Sequence, residues 1–315
     1  MRFSQCFPRM TRQALRAAAI ALPVALIVGA CSRPPSPQPT TAAAAAPAAA
    51  ASVPAPAHVH GAHAHGPDAH AHGHVASAGH DTQPLGDAVE GLRVARRVGC
   101  TGCHGRDGRG NELWSKKGAY IVRSANLTEH VPHYDDAGLV ALLRQGRTHS
   151  GRPPFGMPIF MLQRLSDREI ADVTAWLRGL PPVANPSLKQ TWMSPAIARQ
   201  VADGTYPEDD YLPDKGVEVL AVPPTEPLAL GRHIAYTSCT ECHGRDLNGW
   251  GGDEPPSLIV AKGYTPEGFR TLMRTGRRPD GTETTTGMMS GVARERFSPL
   301  RDDEIAALKA YLDSR

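Results

Sequence analysis

The chain has 315 residues, with 34 Lys and Arg against 31 Asp and Glu, and a length suited to about two domains of ordinary size. Only 5% of its residues are aromatic, so something other than aromatic side chains must help to fill two cores. Four arginines in the first 30 residues account for the net charge of +3. The remainder carries 30 basic and 31 acidic side chains, which excludes the strongly basic balance of a nucleic-acid-binding protein.

Residues 1–30 have the pattern of an export signal: four arginines without an acid, then a short apolar run over 17–30. The run ends in Val28-Gly29-Ala30-Cys31, which resembles a bacterial lipobox. That resemblance implies cleavage before Cys31, acylation of this cysteine and a firm membrane anchor. The alternative is an ordinary secretory signal that happens to end near a cysteine. Because Ser32 is not the Asp associated with inner-membrane retention, we expect a location in the bacterial cell envelope, facing the periplasm, at the outer membrane.

Residues 31–83 form a tether rich in Pro and Ala that we expect to be disordered. Eight histidines lie between His58 and His80. Neutral imidazoles can bind Cu or Zn weakly, but no acidic or cysteine ligand completes a rigid site. The tract is therefore interpreted first as a hydrophilic spacer, with weak Cu or Zn binding as the alternative.

An internal repeat organises the rest of the chain. CTGCHGRD at 100–107 returns as CTECHGRD at 239–246, and the segments that begin at Leu139 and Leu165 return at Phe269 and Leu300. The offsets of 139, 130 and 135 residues differ only by small loop changes. The repeat predicts two homologous domains, at 84–182 and 224–315, joined by a linker rich in Pro, Asp and Glu at 183–223.

Both copies are expected to be helical. One helix leads into each CxxCH sequence, and a middle helix ends at Gly146 in the first copy and at Gly276 in the second. The last helix of the first copy begins with Ser166-x-x-Glu169, a capping-box pattern, and continues with apolar residues at helical spacing. Strand-like alternation is almost absent, so the predicted fold class is all-α.

Three chemistries use a Cys-x-x-Cys pair. A zinc site normally needs four ligands, more than two cysteines and one adjacent histidine supply. A redox dithiol precedes a helix in an α/β domain, whereas these copies are expected to be all-helical. A c-type haem needs two thiols that add across two vinyl groups and a histidine that ligates the iron. Chance would give about 0.005 CxxCH motifs in such a chain, so two motifs inside a repeat indicate haem attachment.

Residues 85–315 resemble two class I cytochrome c domains in tandem. The resemblance implies three to five helices around one covalent haem c in each domain, hence two haem c groups in the chain. It implies that the proximal iron ligands are His104 and His243. It assigns the thioether bonds to Cys100 and Cys103 in the first domain and to Cys239 and Cys242 in the second. The helix-crossing contact of the family corresponds here to Gly91 with Trp176 and to Gly231 with Tyr311.

The sixth iron ligands are less constrained by the pattern. In the first copy, Pro-Phe-Gly-Met157-Pro resembles the family's ligand loop, which favours Met157 over the nearby Met161 and His149. In the second copy, Met288 and Met289 are adjacent on a longer loop. Loops of this longer type tend to place the ligand eleven residues before the following Leu, and this spacing favours Met289. Met288 remains the alternative.

An iron with histidine and methionine ligands keeps no open position for a substrate. We therefore expect a membrane-anchored, periplasmic di-haem cytochrome that transfers single electrons rather than an enzyme. Its expected partners are other redox proteins: a dehydrogenase, a quinol-oxidising complex, or a terminal oxidase or reductase. The alternatives are a di-haem oxidoreductase of the peroxidase or thiosulfate dehydrogenase type, and a cytochrome subunit of a dehydrogenase complex. Net charges of +4 over 84–182 and −1 over 223–315 predict two different docking surfaces.

Overall fold

The computed structural model describes residues 86–151, 154–206, 212–249 and 255–315, all within one compact unit. The predicted export signal, the predicted lipidation site Cys31, and the tether with its histidine tract lie outside the described residues. Among the residues that are described, no helix is both long enough and apolar enough to cross a membrane.

Helices dominate the described residues, as the predicted all-α fold requires. They are α1 (Ala88–Val98), α2 (Cys100–His104), α3 (Leu127–His130), α4 (Asp136–Gln145), α5 (Ile159–Leu162), α6 (Asp167–Arg178), α7 (Pro195–Ala202), α8 (Pro227–Ser238), α9 (Thr240–His243), α10 (Pro266–Thr275), α11 (Met288–Val292) and α12 (Asp302–Ser314). Short 3₁₀ segments follow α3 and precede α10, and a π-helical turn separates α11 from α12.

The helix ends follow the capping patterns in the sequence. Ser166 Oγ accepts a hydrogen bond from the Glu169 backbone N–H at 3.2 Å, and the Glu169 carboxylate accepts one from the Ser166 N–H at 2.8 Å. This is the predicted capping box of α6. Gly146 and Gly276 end α4 and α10 in the left-handed conformation, with φ of 66° and 70°. The predicted ends of the middle helices are confirmed.

In each copy, the helix before the CxxCH motif crosses the last helix at a glycine. A Cβ atom on Gly91 would lie 1.9 Å from the Asp172 carbonyl oxygen, and one on Gly231 would lie 2.0 Å from that of Ala307. The Trp176 and Tyr311 Cβ atoms lie beside the same two glycines. The predicted crossing contact is therefore confirmed in both copies, and it requires glycine because any side chain would force the backbones apart.

Each copy of the repeat has its own main apolar core among the described residues, and a smaller cluster forms around Tyr120, Val122 and Tyr206 at the sheet. The core of the first copy is built on α1, α4, α5 and α6, and that of the second on α8, α10 and α12 with the turn before α12. Leu165 and Leu300, which are equivalent in the repeat, are each 1% exposed. The two cores thus use matching landmarks of the repeat.

A small antiparallel sheet is the one departure from an entirely helical pattern that the described residues show. It consists of β1 (Glu112–Lys116), β2 (Tyr120–Arg123) and β3 (Trp192–Met193), in that order. The third strand comes from the predicted linker, which also contains α7. Trp114 of β1 packs closely against Gly156: a Cβ atom on this glycine would lie 3.1 Å from the indole. The sheet therefore supports the loop that carries Met157.

Two side-chain contacts, equivalent in the repeat, join the first helix of each copy to the last helix of the other. Arg93 of α1 lies 2.6 Å from Glu304 of α12, and His233 of α8 lies 2.8 Å from Glu169 of α6. Arg93 and His233 each follow the crossing glycine by two residues, and both glutamates are the third residue of their helix. The contact is thus nearly isologous, like that of a twofold dimer.

The Glu169 side of this contact is the more deeply buried. Arg97 Nη2 donates to Glu169 Oε1 at 2.5 Å, and Arg97 Nη1 donates to Thr237 Oγ1 at 2.6 Å. Arg97 is 2% exposed and Glu169 is 5% exposed. Burial opposes ionisation of Glu169, but Arg97 and His233 outweigh it and lower the pKa of this carboxyl to about 2. The interface therefore holds a carboxylate that is ionised over the whole physiological pH range.

We predict that Glu169→Gln lowers the free energy of unfolding at pH 7 by about 3 kcal/mol. The native pKa near 2 lies below the usual value of 4.5. The stabilisation is therefore complete above about pH 4.5 and is lost as the pH falls toward 2. Urea unfolding of the holoprotein at several pH values should show wild type and variant converging in acid. Asp303→Asn, at an exposed site of α12, should change stability by less than about 0.5 kcal/mol. A Glu169→Gln deficit that persisted unchanged to pH 2 would contradict the prediction.

Candidate functional site

The first CxxCH motif follows a sharp turn at the end of α1. Gly99 has φ of 95° and ends α1, and α2 then carries Cys100 to His104. The His104 Nδ1 atom lies 2.9 Å from the Ala125 carbonyl oxygen. Burial lowers the pKa of His104, although this hydrogen bond opposes the shift. The imidazole is therefore neutral, Nδ1 donates its proton to the carbonyl, and Nε2 keeps the lone pair that a metal requires.

The second motif repeats this arrangement. The His243 Nδ1 atom lies 2.7 Å from the Pro256 carbonyl oxygen. The backbone N–H of Gly249 donates to the His243 carbonyl at 2.7 Å, as that of Gly110 does to the His104 carbonyl at 2.8 Å. Both histidines are thus oriented by a carbonyl on the returning loop. Sequence reasoning missed these acceptors, because any residue type supplies a backbone carbonyl.

The cysteines of the two motifs differ from the thiols of a redox switch. Burial raises the pKa of Cys100 and of Cys239 to about 11, against the opposing charge of Arg296. A redox-active CxxC pair instead has a lowered thiol pKa, because the thiolate is the nucleophile. The environment of Cys100 and Cys239 favours neutral thiols in an apolar setting, which fits a covalent attachment role better than disulfide exchange.

The second copy contains a partly open, mainly apolar cavity of about 340 Å³. One part of its wall is the motif itself, through Cys239, Cys242 and His243. Met288 and Met289, at the start of α11, contribute another part of the wall. Aliphatic and aromatic side chains supply most of the remainder: Leu258, Val260, Phe269, Leu272, Phe297, Leu308 and Leu312. An apolar cavity of this size with a few polar groups is typical of a cofactor site, and the residues present fit a haem c.

In the first copy, Met157 lies on the loop between α4 and α5. It is half-buried and packs against the core that also contacts Cys100. Its backbone N–H donates to the Pro154 carbonyl at 3.0 Å, and Gly156 has φ of 86°. Trp114 covers the same loop. The structure thus brings the predicted Met157 and the motif cysteine to one apolar cluster.

Both adjacent methionines of the second copy lie at the cavity, so either is placed to serve as the iron ligand. Met288 and Met289 begin α11, and both contribute to the wall of the cavity. Met289 also packs against the second core. Met288 versus Met289 as the iron ligand therefore stays a prediction.

The remaining candidates lie elsewhere. Met161 is 0% exposed inside the first core, as expected of an apolar filler. His149 is exposed and packs against Tyr134, with a ring-centroid distance of 5.1 Å. His233 contacts Glu169 at the interface between the copies, so its helix position before the motif serves packing.

Two family models match the repeated domains. Residues 86–177 match the model described as cytochrome c oxidase, cbb3-type, subunit III, and residues 228–315 match the cytochrome c model. A search of curated proteins gave no match. Among solved structures, the reduced recombinant cytochrome c4 from Pseudomonas stutzeri is 20% identical to this chain, over 72% of this chain and 98% of its own length. Its TM-score is 0.20, so the assignment of the two copies as cytochrome c domains rests on the two family models.

Proposed function

Because the chain carries two c-type cytochrome domains, each with a covalently bound haem c, we propose that it is a membrane-anchored electron relay of the bacterial periplasm. It would pass single electrons between a respiratory or dehydrogenase donor and an acceptor. The observation that carries the proposal is the duplicated site. In each copy a motif cysteine and a methionine-bearing loop contact the same apolar core, and the motif histidine is oriented by a backbone carbonyl.

The residues that would hold the haem groups follow from this arrangement. We assign the thioether bonds to the four motif cysteines and the proximal positions to the two motif histidines. We assign the sixth positions to Met157 and Met289. When bound, such a haem exchanges one electron between ferric and ferrous iron, and a thioether ligand raises its reduction potential. The hydrogen bonds to Ala125 and Pro256 would fix each imidazole tautomer, and the apolar walls would exclude water.

A carrier fits these residues better than the enzyme alternative. A di-haem peroxidase or thiosulfate dehydrogenase would keep one haem open or unusually ligated. Both copies of this chain instead offer a methionine beside the core, at Met157 and at Met289. The role of a cytochrome subunit in a dehydrogenase complex shares this chemistry and differs only in its partner.

The charge balance and the first family model indicate the kind of partner. Domain 84–182 carries a net charge of +4, against −1 for 223–315, so we propose that the first domain docks the more acidic partner. Its match to a model named for an oxidase subunit makes a terminal oxidase the leading candidate acceptor. Anchoring through Cys31 at the outer membrane, with the 31–83 tether as spacer, would let both domains reach partners in the periplasm.

We predict that Met157→Leu and Met289→Leu each remove about half of the weak methionine-to-iron charge-transfer band of the ferric holoprotein. Each should also lower the reduction potential of its own haem, because a thioether stabilises ferrous iron. Met288→Leu is the matched control and should keep the whole band. Loss of the band in Met288→Leu instead of Met289→Leu would reassign the ligand. High-spin signals from the wild type at neutral pH would favour the enzyme alternative.

We predict that electron transfer from the reduced holoprotein to a terminal oxidase in bacterial membranes slows as ionic strength rises from about 20 to 200 mM. Arg147→Glu, at an exposed site of the first domain, should lower the low-salt rate severalfold because it weakens the encounter. Arg277→Glu, its equivalent in the second domain, is the control and should leave the rate within about twofold. A rate independent of salt, or equal losses in both variants, would contradict docking through the first domain.

We predict that Cys31→Ser abolishes incorporation of an alkyne-labelled fatty acid into the protein, because the acylated thiol is gone. Cys6→Ser, within the signal, should leave the labelling intact. Mass spectrometry of the purified protein should show lipid mass only when Cys31 is present. Labelling that survived Cys31→Ser would contradict the lipoprotein assignment.

A further inference from the structure

Arg296 is a cation buried in the π-helical turn Ala293–Phe297, with 9% of its surface exposed. Arginine is almost never buried without partners, because loss of hydration is costly. Single π-helical turns occur frequently at functional sites. The location of this side chain therefore calls for a specific reason.

The guanidinium of Arg296 contacts the chain beside both CxxCH motifs. Toward the first motif, Nε donates to the Arg97 carbonyl at 3.1 Å, three residues before Cys100. A Cβ atom on Gly99, the residue before Cys100, would lie 2.9 Å from the guanidinium carbon.

Toward the second motif, Arg296 Nη2 donates to the carbonyl of Ser238, the residue before Cys239, at 3.2 Å. Arg296 Nη1 donates to Glu241 Oε2 at 2.8 Å, and Glu241 lies between the two cysteines of that motif. The side chain also contributes to the wall of the cavity in the second copy. One guanidinium thus bridges the two haem-attachment segments.

Only the second copy has a charged residue at the position of Arg296. Counted back from Leu300 and from Leu165, its equivalent in the first copy is Met161, an apolar residue inside the core. Neighbouring Arg97 lies 2.5 Å from Glu169, whose side chain is only 7% accessible. The Arg296 partner, Glu241, is more exposed, with 18% of its side chain accessible. Arg296 is thus the less fully compensated of the two cations.

We propose that Arg296 is a shared positioning and potential-setting residue, which holds the two attachment segments together and raises the reduction potential of both haems. The inference rests on the proposed attachment of haem to both motifs. A ferric haem carries one more positive charge than a ferrous haem. A fixed cation nearby therefore disfavours loss of an electron, and the buried setting limits screening by solvent. The negative charge of Glu241, the partner of Arg296, lowers the same reduction potentials.

The test is a spectroelectrochemical titration of the holoprotein, in which an electrode supplies or removes the electrons. Arg296→Met should lower both potentials, so that at a fixed applied potential the oxidised-to-reduced ratio of each haem rises at least threefold. Arg296→Lys should recover most of this change because the charge remains. Glu241→Gln should shift the ratios in the opposite direction. Arg270→Met, at an exposed site of α10, is the control and should change neither ratio.

Normal haem spectra with unmoved potentials in Arg296→Met would overturn the inference, and so would a shift confined to one haem. If Arg296→Met does not accumulate as holoprotein, Glu241→Gln decides alone, and the absence of an upward shift overturns the inference. Failure of the proposed function looks different, because a wild-type protein without two covalent haems would refute the attachment itself.

Discussion

The hydrogen bond from each motif histidine to a backbone carbonyl is the constraint on which both sites depend. A neutral imidazole can carry its proton on either nitrogen, and only one tautomer leaves Nε2 able to bind a metal. The carbonyls of Ala125 and Pro256 select that tautomer. They can do so only because the loop after each motif returns to it. In the first copy, Asn126 holds this return through a 2.7 Å hydrogen bond to the Val183 carbonyl.

The two copies share this frame but differ around the predicted sixth ligand. In the first, a sheet with one strand from the linker supports the Met157 loop through Trp114. In the second, a longer loop carries two methionines and continues through a π-helical turn. Counted from Leu165 and Leu300, Arg296 also stands where the first copy has the core residue Met161. Divergence is thus concentrated where ligand geometry and local charge are set, while the glycine crossings that position the helices are kept.

Local patterns explain what could be predicted from the sequence. The capping box at Ser166, the glycines that end α4 and α10, and the crossing glycines Gly91 and Gly231 each require a particular residue type, so a pattern reveals them. The carbonyl acceptors, the sheet strand at Trp192–Met193 and the contact of His233 with Glu169 depend on contacts between distant segments. No residue type is required at a backbone acceptor, and a two-residue strand has no periodicity to detect.

Buried charge at the junction of the two copies is a costly way to hold domains together, since an apolar interface of similar size is often at least as stable. Buried polar contacts between the copies instead fix the register in which one copy packs against the other. An apolar face tolerates sliding, whereas the contacts that cross between the copies lose their partners after a shift of one residue. They are His233 with Glu169, Arg93 with Glu304, and Arg296 with the Arg97 carbonyl. Electron exchange between two centres falls steeply with their separation. A junction that permits only one register therefore keeps the distance between the two haem sites fixed, which stability alone does not ensure.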